Sequence, residues 1–326
     1  MKVHILDDWF NTLRTLPCFA KLDRHEVTVW TDHVEDPDEL AGRLRDADAV
    51  VLFRERTAVT RALVEQLPNL KLISQRGVFP HVDVQACTDN KVLLCSKLPK
   101  GGAPNYAAAE LTWGLILAAM RQIPQQMQSL KAGDWQMGVG KSLRGRTLGL
   151  YGYGRIGQAV AEVGKAFGMK VQWWGSEEGR ARALAAGETV PESREAFFES
   201  SDVVSLHLRL VPETRGLITL KDLQSMRSDA LLVNTSRAGL IAPGALLEAL
   251  NTNQIETAAV DVFDTEPLTD ASDALLSHPR LIGTPHIGFV TQDEFNKQFG
   301  DAFDQINAFD ANEPTNMINP EVWTRN

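Results

Sequence analysis

Residues 147–174 read TLGLYGYGRIGQAVAEVGKAFGMKVQWW, and this stretch decides the fold. An apolar run at 147–151 is followed by glycines at 152, 154 and 157, a helical pattern, and a second apolar run at 170–174. In such a strand–turn–helix setting the first glycine makes the tight turn, the second lets a pyrophosphate approach the backbone, and the third lets helix and strand pack closely. An ordinary strand-to-helix turn is the alternative, but the flanking pattern favours a dinucleotide-binding βαβ unit.

The same alternation of strand-like and helical segments extends in both directions from this stretch. Upstream, five apolar runs lie between residues 3 and 95, and downstream four more begin at Val203, Ala230, Thr257 and Leu281. Helix-length connections between strands imply parallel pairing. A chain of 326 residues also exceeds the roughly 100 to 200 residues of one domain. We expect two α/β units, separated by a buried helix at 106–121 and a polar, glutamine-rich connector.

The composition describes a folded protein with an acidic surface. The 33 Lys and Arg residues against 42 Asp and Glu residues give a net charge of −9, which repels nucleic-acid phosphates and anionic lipid. The longest run without charge, 281–292, is shorter than the roughly 20 residues of a membrane span. Three cysteines form a sparse, odd set, and Asp7 and Asp8 precede any signal-peptide hydrophobic segment. We expect no nucleic-acid or membrane partner and a reducing, cytoplasmic compartment.

Three side chains of catalytic type each follow a predicted strand of the second unit: Arg237, Glu266 and His286. Taken singly, each has a simpler interpretation without a function: Arg237 as a surface charge, Glu266 as a solvated loop residue and His286 as a turn residue. Because the carboxyl ends of parallel strands share one edge of the sheet, where α/β folds bind ligands, the three side chains can converge on one cleft. A guanidinium holds a carboxylate in fixed geometry, and a histidine beside a carboxylate can supply a proton near neutral pH.

Five motifs resemble those of the D-isomer-specific 2-hydroxyacid dehydrogenases, in that family's order and spacing. They are GYGRIG at 152–157, HLRLVPETRGLI at 207–218, NTSRAGLI at 234–241, DVFDTEPL at 261–268 and TPHIG at 284–288. The similarity spans residues 73–288, and several motifs in register are more specific than the glycine loop alone. The resemblance implies an NAD(P)-dependent oxidoreductase that interconverts a small 2-oxo acid and its D-2-hydroxy acid.

The resemblance also implies an architecture of two Rossmann-like open parallel-sheet domains with a cleft between them. A flavodoxin-like substrate domain would be discontinuous, formed by residues 1–100 and 290–326. An NAD-binding Rossmann domain would occupy residues 101–289 and form a homodimer through the long helix and the connector. The segments at 97–105 and 288–293 would act as hinges, since both contain glycine.

Carried over residue by residue, the resemblance assigns Arg237 to the substrate carboxylate or carbonyl, His286 to acid/base catalysis and Glu266 to pairing with His286. Asp261 would hold the nicotinamide carboxamide, and Gly77 and Val78 would contact the substrate. The other implied cofactor contacts are Gly152, Tyr153, Gly154, Arg155, Ile156, Gly157, Ser176, Glu177, His207, Leu208, Thr214, Thr235, Ser236 and His286. The cysteines have no metal-ligand spacing, so no metal site is expected.

The sequence departs from the family pattern at two places. Phe79 and Pro80 replace the flexible part of the substrate loop, which leaves the identity of the substrate open. Gly175 stands where an aspartate usually binds the adenosine ribose, which removes the usual barrier to the 2′-phosphate of NADP. Glu177 could restore the ribose contact, whereas Arg180 could turn to the pocket and reverse the preference. We expect NAD rather than NADP.

Two other functions occur on the scaffold that this sequence resembles. A formate dehydrogenase on the same scaffold is expected to lack the acidic partner of the histidine, because formate oxidation removes no hydroxyl proton, so Glu266 argues against it. A corepressor that uses the nucleotide-bound dimer as a binding platform is compatible with the three site residues. No segment of the sequence looks like an added peptide-docking element.

Overall fold

The computed structural model describes residues 1–98 and 106–323 of the chain. It divides into two compact units, one formed by Met1–Gly102 with Thr291–Asn326 and the other by Ala103–Val290. These bounds differ by one or two residues from those expected from the sequence. The predicted hinge at 97–105 lies mostly outside the described residues.

The first unit contains a five-stranded sheet in the order β2-β1-β3-β4-β5, and every pairing between these strands is parallel. The strands are β1 Lys2–Ile5, β2 Glu26–Val29, β3 Ala49–Val51, β4 Leu72–Arg76 and β5 Leu93–Lys97. The helices between them are α1 Pro37–Leu44, α2 Arg61–Glu65 and α3 Val84–Asp89. Asp36, Thr60 and Asp83 each cap one of these helices by accepting hydrogen bonds from its first N–H groups.

The second unit contains a six-stranded sheet in the order β11-β10-β9-β8-β6-β7, again with parallel pairing throughout. The strands are β6 Thr147–Tyr151, β7 Lys170–Trp174, β8 Val203–Leu206, β9 Leu231–Asn234, β10 Thr257–Val260 and β11 Leu281–Gly283. The order reverses at β6, which has β7 on one side and β8 on the other. Such a reversal creates a crevice at the carboxyl ends of the strands, where ligands bind. The predicted α/β class with two parallel sheets is confirmed.

Within residues 106–290, seven α-helices accompany this second sheet. They are α4 Tyr106–Met120, α5 Ile123–Lys131, α6 Arg155–Ala166, α7 Glu177–Ala185, α8 Arg194–Ser200, α9 Leu220–Ser225 and α10 Ala245–Asn251. Strands β8 and β9 are buried along their whole length because helices cover both faces of the sheet. Helix α4 buries seven side chains, and the Trp113 indole donates to the Val160 carbonyl oxygen at 3.1 Å. The predicted burial of this helix is confirmed.

The connector after α4 contains a helix that the sequence did not predict. Pro124 lies in the first turn of α5, where a missing N–H costs nothing. None of the nine residues of α5 is buried. The polar composition of this segment therefore gave no sign of a helix, but it correctly indicated that the segment lies outside the core. Among the described residues, no helix combines the length and apolarity that crossing a membrane requires.

The C-terminal helix α11, Gln292–Asp310, returns to the first unit. Ser74 of β4 donates to the Ala302 carbonyl oxygen at 2.8 Å, and the Gln305 amide donates to the Gln75 carbonyl oxygen at 2.9 Å. The Phe53 ring stacks on Phe299 with centroids 5.1 Å apart. The apolar periodicity of α11 could not show which unit the helix packs against, because both sheets offer an apolar face. The buried hydrogen bonds to β4 identify its place.

Candidate active site

The glycine loop begins where β6 ends. Gly152 follows Tyr151 with a φ of +115°, and a Cβ atom on Gly152 would lie 2.4 Å from the carbonyl oxygen of His207. Both the backbone conformation and the close contact therefore require glycine. As a result, the backbone of the segment that follows β8 approaches the backbone of the loop after β6 closely at Gly152.

The other two glycines of the loop have different surroundings. An added Cβ on Gly157 would lie 2.7 Å from the Gly152 carbonyl oxygen, so this glycine allows α6 to pack against the loop. An added Cβ on Gly154 would meet no protein atom closer than the His207 carbonyl oxygen at 4.0 Å. Gly154 is also the N-cap of α6 and offers no side chain to its N–H groups. Open space at an uncapped helix N-terminus fits the pyrophosphate of a dinucleotide.

Two loop side chains point into the unit. The Tyr153 ring meets Trp173 edge-on with centroids 4.7 Å apart, and Ile156 packs against the same hydrophobic cluster. Arg155 begins α6 and is exposed. Tyr153 and Ile156 thus fix the loop to the core beneath it.

The segment after β8 is organised by short polar contacts. The His207 Nε2 atom lies 2.9 Å from the Ser205 hydroxyl, and burial lowers the pKa of His207 to about 4. The imidazole is therefore neutral at physiological pH. Further along, the Thr214 hydroxyl accepts from the Val211 N–H at 2.9 Å. Leu208 packs beside Gly152, where its Cδ2 atom would lie 3.0 Å from an added Cβ.

Arg237 lies in the loop after β9, and a buried asparagine shapes that loop. The Asn234 side chain donates to the Arg237 carbonyl oxygen at 2.9 Å and accepts from the Ser236 N–H at 3.0 Å. The Thr235 hydroxyl lies 2.8 Å from that of Thr112 on α4. Arg237 itself is exposed, and its Nη1 atom donates to the Ser236 carbonyl oxygen at 2.7 Å. The guanidinium is thus presented to solvent from a rigid turn.

His286 and Glu266 form a direct pair. The His286 Nδ1 atom lies 2.5 Å from Oε2 of Glu266, whose Oε1 accepts from the Phe263 N–H at 2.9 Å. Burial opposes the ionised form, but the hydrogen bonds from His286 and Phe263 and the charges of His286 and Arg237 lower the pKa of Glu266 below its ordinary value. Glu266 is therefore a carboxylate at neutral pH. Its bond to Nδ1 leaves Nε2 as the ring atom that can exchange a proton with a ligand.

The turn that carries His286 is held by Asp261, which is fully buried at the end of β10. The Asp261 carboxylate accepts from the Thr284 hydroxyl at 2.6 Å and from the N–H groups of Ile287 and Gly288, both at 2.8 Å. Burial raises the pKa of Asp261, although these three donors act in the opposite direction. His286 has a φ of +54°, a conformation that non-glycine residues rarely adopt. The buried carboxylate thus stabilises an unfavourable turn around the histidine.

The end of β7 forms a further part of the same edge. Gly175 has a φ of +151°, and an added Cβ would lie 3.6 Å from the N and Cα atoms of Gly152. Ser176 caps α7 by accepting from the Gly179 N–H at 3.2 Å. Glu177 is exposed in the first turn of that helix. The Arg180 guanidinium turns back and donates to the Gly175 carbonyl oxygen at 2.6 Å.

The structure pairs His286 directly with Glu266 within the second unit, and the charge of Arg237, in the same unit, makes the smallest contribution to the lowered pKa of Glu266. Gly77 and Val78 belong to the first unit, where they follow β4; Gly77 has a φ of +112° and Val78 is 60% exposed. Sequence reasoning missed Asn234 as the residue that shapes the arginine loop. A polar residue at the end of an otherwise apolar strand is the signal that could have found it, because buried polar groups are almost always bonded.

Comparison with known protein families, curated proteins and solved structures identifies similar dehydrogenases and reductases. The family model described as "D-isomer specific 2-hydroxyacid dehydrogenase, NAD binding domain" matches residues 113–288. The chain is 38% identical over 259 residues to D-3-phosphoglycerate dehydrogenase of Methanocaldococcus jannaschii, covering 78% of this chain but 48% of that protein. It is 35% identical over 311 residues to glyoxylate reductase of Aeropyrum pernix, covering 91% of each. A crystal structure of an oxidoreductase from Ralstonia solanacearum has 44% identity and a TM-score of 0.93, covering 100% of this chain and 98% of that one.

The glycine loop predicts a large difference between two glycine-to-alanine variants. Gly152→Ala combines an unfavourable φ, which costs roughly 1–2 kcal/mol, with overlap against the His207 carbonyl that only a backbone shift can relieve, so we expect at least ~3 kcal/mol lower free energy of unfolding. Gly187→Ala is the control, because its φ is +76° but no atom lies within 4 Å of an added Cβ. Its expected loss is about 1 kcal/mol. Chemical denaturation followed by circular dichroism measures both, and equal losses would contradict the packing argument.

Proposed function

Because the chain belongs to the family of D-isomer-specific 2-hydroxyacid dehydrogenases, we propose that it interconverts a small 2-oxo acid and its D-2-hydroxy acid with a nicotinamide dinucleotide. The observation that carries this proposal is the pair of His286 and Glu266 beside Arg237. Relatives named glyoxylate reductase, hydroxypyruvate reductase and D-3-phosphoglycerate dehydrogenase support a short 2-oxo acid as the substrate class.

The three side chains divide the work on such a substrate. The exposed Arg237 guanidinium binds the carboxylate or the adjacent carbonyl and orients the reacting carbon. When bound, the nicotinamide supplies the hydride in reduction and accepts it in oxidation. His286 donates a proton from Nε2 to the carbonyl oxygen as negative charge develops there, and takes it back in the reverse direction. The Glu266 carboxylate on Nδ1 stabilises the protonated ring.

The cofactor would lie along the carboxyl edge of the second sheet, and the family's NAD-binding description supports NAD as a cofactor. The residues proposed to hold it are Gly152, Tyr153, Gly154, Arg155, Ile156, Gly157, Ser176, Glu177, His207, Leu208, Thr214, Thr235, Ser236, Asp261 and His286. The open space at Gly154 supports a pyrophosphate position at the start of α6. Formate oxidation is disfavoured because the histidine retains an acidic partner.

The first unit is proposed as the substrate domain, with Gly77 and Val78 as substrate contacts. Support comes from the matched extent of the NAD-binding family model, 113–288, which leaves the first unit outside it. A reducing, cytoplasmic compartment is also proposed, and it is supported by Cys18, Cys87 and Cys95, which are buried and unbonded to one another.

The first prediction of this proposal concerns turnover. Arg237→Ala and His286→Ala should each lower kcat at least ~100-fold, because an orienting cation or the proton donor is lost. Arg237 is exposed and His286 is partly buried and bonded to Glu266, so circular dichroism and thermal unfolding of both variants serve as the folding control. Reduction of glyoxylate and hydroxypyruvate with NADH measures kcat. For Arg237→Ala, which changes no proposed cofactor contact, fluorescence titration should give an NADH affinity within ~2-fold of that of the protein without substitutions. Near-normal turnover of either variant would remove the catalytic assignment.

The second prediction concerns pH dependence. Glu266 has a lowered pKa and is ionised across the neutral range, so Glu266→Gln removes a negative charge from Nδ1 of His286. The protonated ring is then stabilised less, and the alkaline limb of the reduction profile should move to lower pH. Measurement of kcat against pH from about 5 to 9 tests this, with Asp264→Asn in the same exposed loop as the matched control. A profile that moves equally in both variants, or in neither, contradicts the role of Glu266.

The third prediction concerns assembly through the connector. Six large apolar side chains on α5 and the segment after it are exposed, far more than a solvated surface needs: Ile123, Met127, Leu130, Trp135, Met137 and Val139. We expect a homodimer that covers them. Leu130→Asp combined with Trp135→Asp should give monomers in light scattering coupled to size exclusion. Leu184→Asp on α7, where the leucine is 58% exposed, is the control and should leave the measured mass unchanged. If the protein without substitutions is itself a monomer, the proposed dimer is refuted.

A further inference from the structure

Thr112, in the second turn of α4, has a hydroxyl group that reaches the arginine loop. The side chain is completely buried, and its Oγ1 atom donates to the Ala108 carbonyl oxygen at 2.7 Å. A hydroxyl has one hydrogen, so the 2.8 Å bond between the Thr112 and Thr235 hydroxyls takes its hydrogen from Thr235. Thr235 lies two residues before Arg237. The bonds therefore run in one direction, from the arginine loop through Thr112 to the backbone of α4.

The same side of α4 also meets the turn that carries His286. A Cβ atom added to Gly288, two residues after the histidine, would lie 3.7 Å from Cδ2 of Leu111 and 3.9 Å from Cα of Ala108, which are ordinary van der Waals distances. Ala108, Leu111 and Thr112 are spaced i, i+3 and i+4, so they share one side of the helix. One turn of α4 therefore lies against both loops of the candidate site.

The sheet itself does not place these two loops side by side. They follow β9 and β11, and β10 lies between those strands, so the strand ends are roughly 10 Å apart. Asn234 bonds the backbone of the loop after β9, and Asp261 bonds the turn after β11, but these bonds do not join one loop to the other. Helix α4 packs on all three strands. Its contacts with both loops can therefore fix the distance between them.

We propose that Thr112 is a positioning residue for the reaction: through Thr235 it holds the loop of Arg237 at the distance from His286 that a 2-oxo acid requires. This inference rests on the proposed function, in which the guanidinium orients the substrate and the imidazole exchanges a proton with it. Displacement of an orienting group lowers the rate strongly, because the reacting atoms must meet in a narrow range of geometries. A buried hydroxyl that touches no substrate atom can thus act on turnover.

Two substitutions at Thr112 separate the hydroxyl group from the packing. Thr112→Val keeps the shape of the side chain but removes the acceptor of the Thr235 hydroxyl, whereas Thr112→Ser keeps the hydroxyl and loses a buried methyl group. We expect Thr112→Val to lower kcat/KM for reduction of glyoxylate with NADH at least ~10-fold, because the arginine loop is displaced. Thr112→Ser should stay within ~3-fold of the protein without substitutions, since it preserves the bond to Thr235. Circular dichroism verifies that both variants are folded.

A double substitution distinguishes positioning of Arg237 from a general structural role. If Thr112 acts through Arg237, adding Thr112→Val to Arg237→Ala should lower kcat/KM less than ~2-fold further, because the guanidinium that Thr112 positions is already absent. A general loss of structure, or an effect that reaches the cofactor through Thr235, would instead give the same loss with and without Arg237.

Thr252→Val is the matched control within the same unit. Thr252 also donates to the carbonyl oxygen four residues earlier, that of Glu248 at 2.7 Å, but it is exposed at the end of α10. Its replacement should change kcat/KM less than ~2-fold, as for a surface position. Unchanged kinetics of Thr112→Val, equal losses in Thr112→Val and Thr112→Ser, or a full loss in the Arg237→Ala background would each overturn the role of Thr112. If the protein without substitutions reduces neither glyoxylate nor hydroxypyruvate, the proposed function fails, and the role of Thr112 with it.

Discussion

The approach of the His207 carbonyl oxygen to Gly152 is the constraint on which the second unit depends. With only 2.4 Å between that oxygen and the place of an added Cβ, the segments after β6 and β8 can meet only if one of them has no side chain. This contact sets the start of α6. It also requires glycine at position 157, since an added Cβ there would lie 2.7 Å from the Gly152 carbonyl oxygen. The contact between Gly152 and His207 therefore also influences three neighbouring features: the N-terminus of α6, the open space at Gly154 and the end of β7 at Gly175.

Arg237 and Glu266 are exposed and His286 is half-buried, but the residues that position Arg237 and His286 are buried. Asn234 and Asp261 are both inaccessible to solvent, and each lies at the end of a strand. Asn234 bonds the backbone around Arg237, and Asp261 bonds the turn around His286. A buried polar group stabilises only the geometry that satisfies all of its bonds, because an unsatisfied group costs free energy. The sheet thereby fixes the positions of the loop residues that are proposed to be catalytic.

Most of the fold could be predicted from the sequence, and so could the placement of Arg237, Glu266 and His286 after strands. The reasons are local. Strand-like runs, the glycine spacing and the positions of Arg237, Glu266 and His286 after strands depend on short-range pattern. Helix α5 was missed because its composition is polar and it buries no residue, so apolar periodicity gave no signal. The direction of Arg180 could not be predicted either, since a backbone carbonyl and the face of Trp174 decide it. Such contacts exist only once the chain is folded.

The conformation of Gly175 has a consequence for how this protein can change. A single substitution at this position could supply a ribose-binding carboxylate, but an aspartate here would have to adopt a φ of +151°, which L-amino acids rarely do. A glycine codon can become an aspartate codon by one base change, but the backbone conformation at Gly175 disfavours aspartate. Cofactor use in this chain is therefore changed with less strain through α7, where side chains can be replaced without altering the end of the strand.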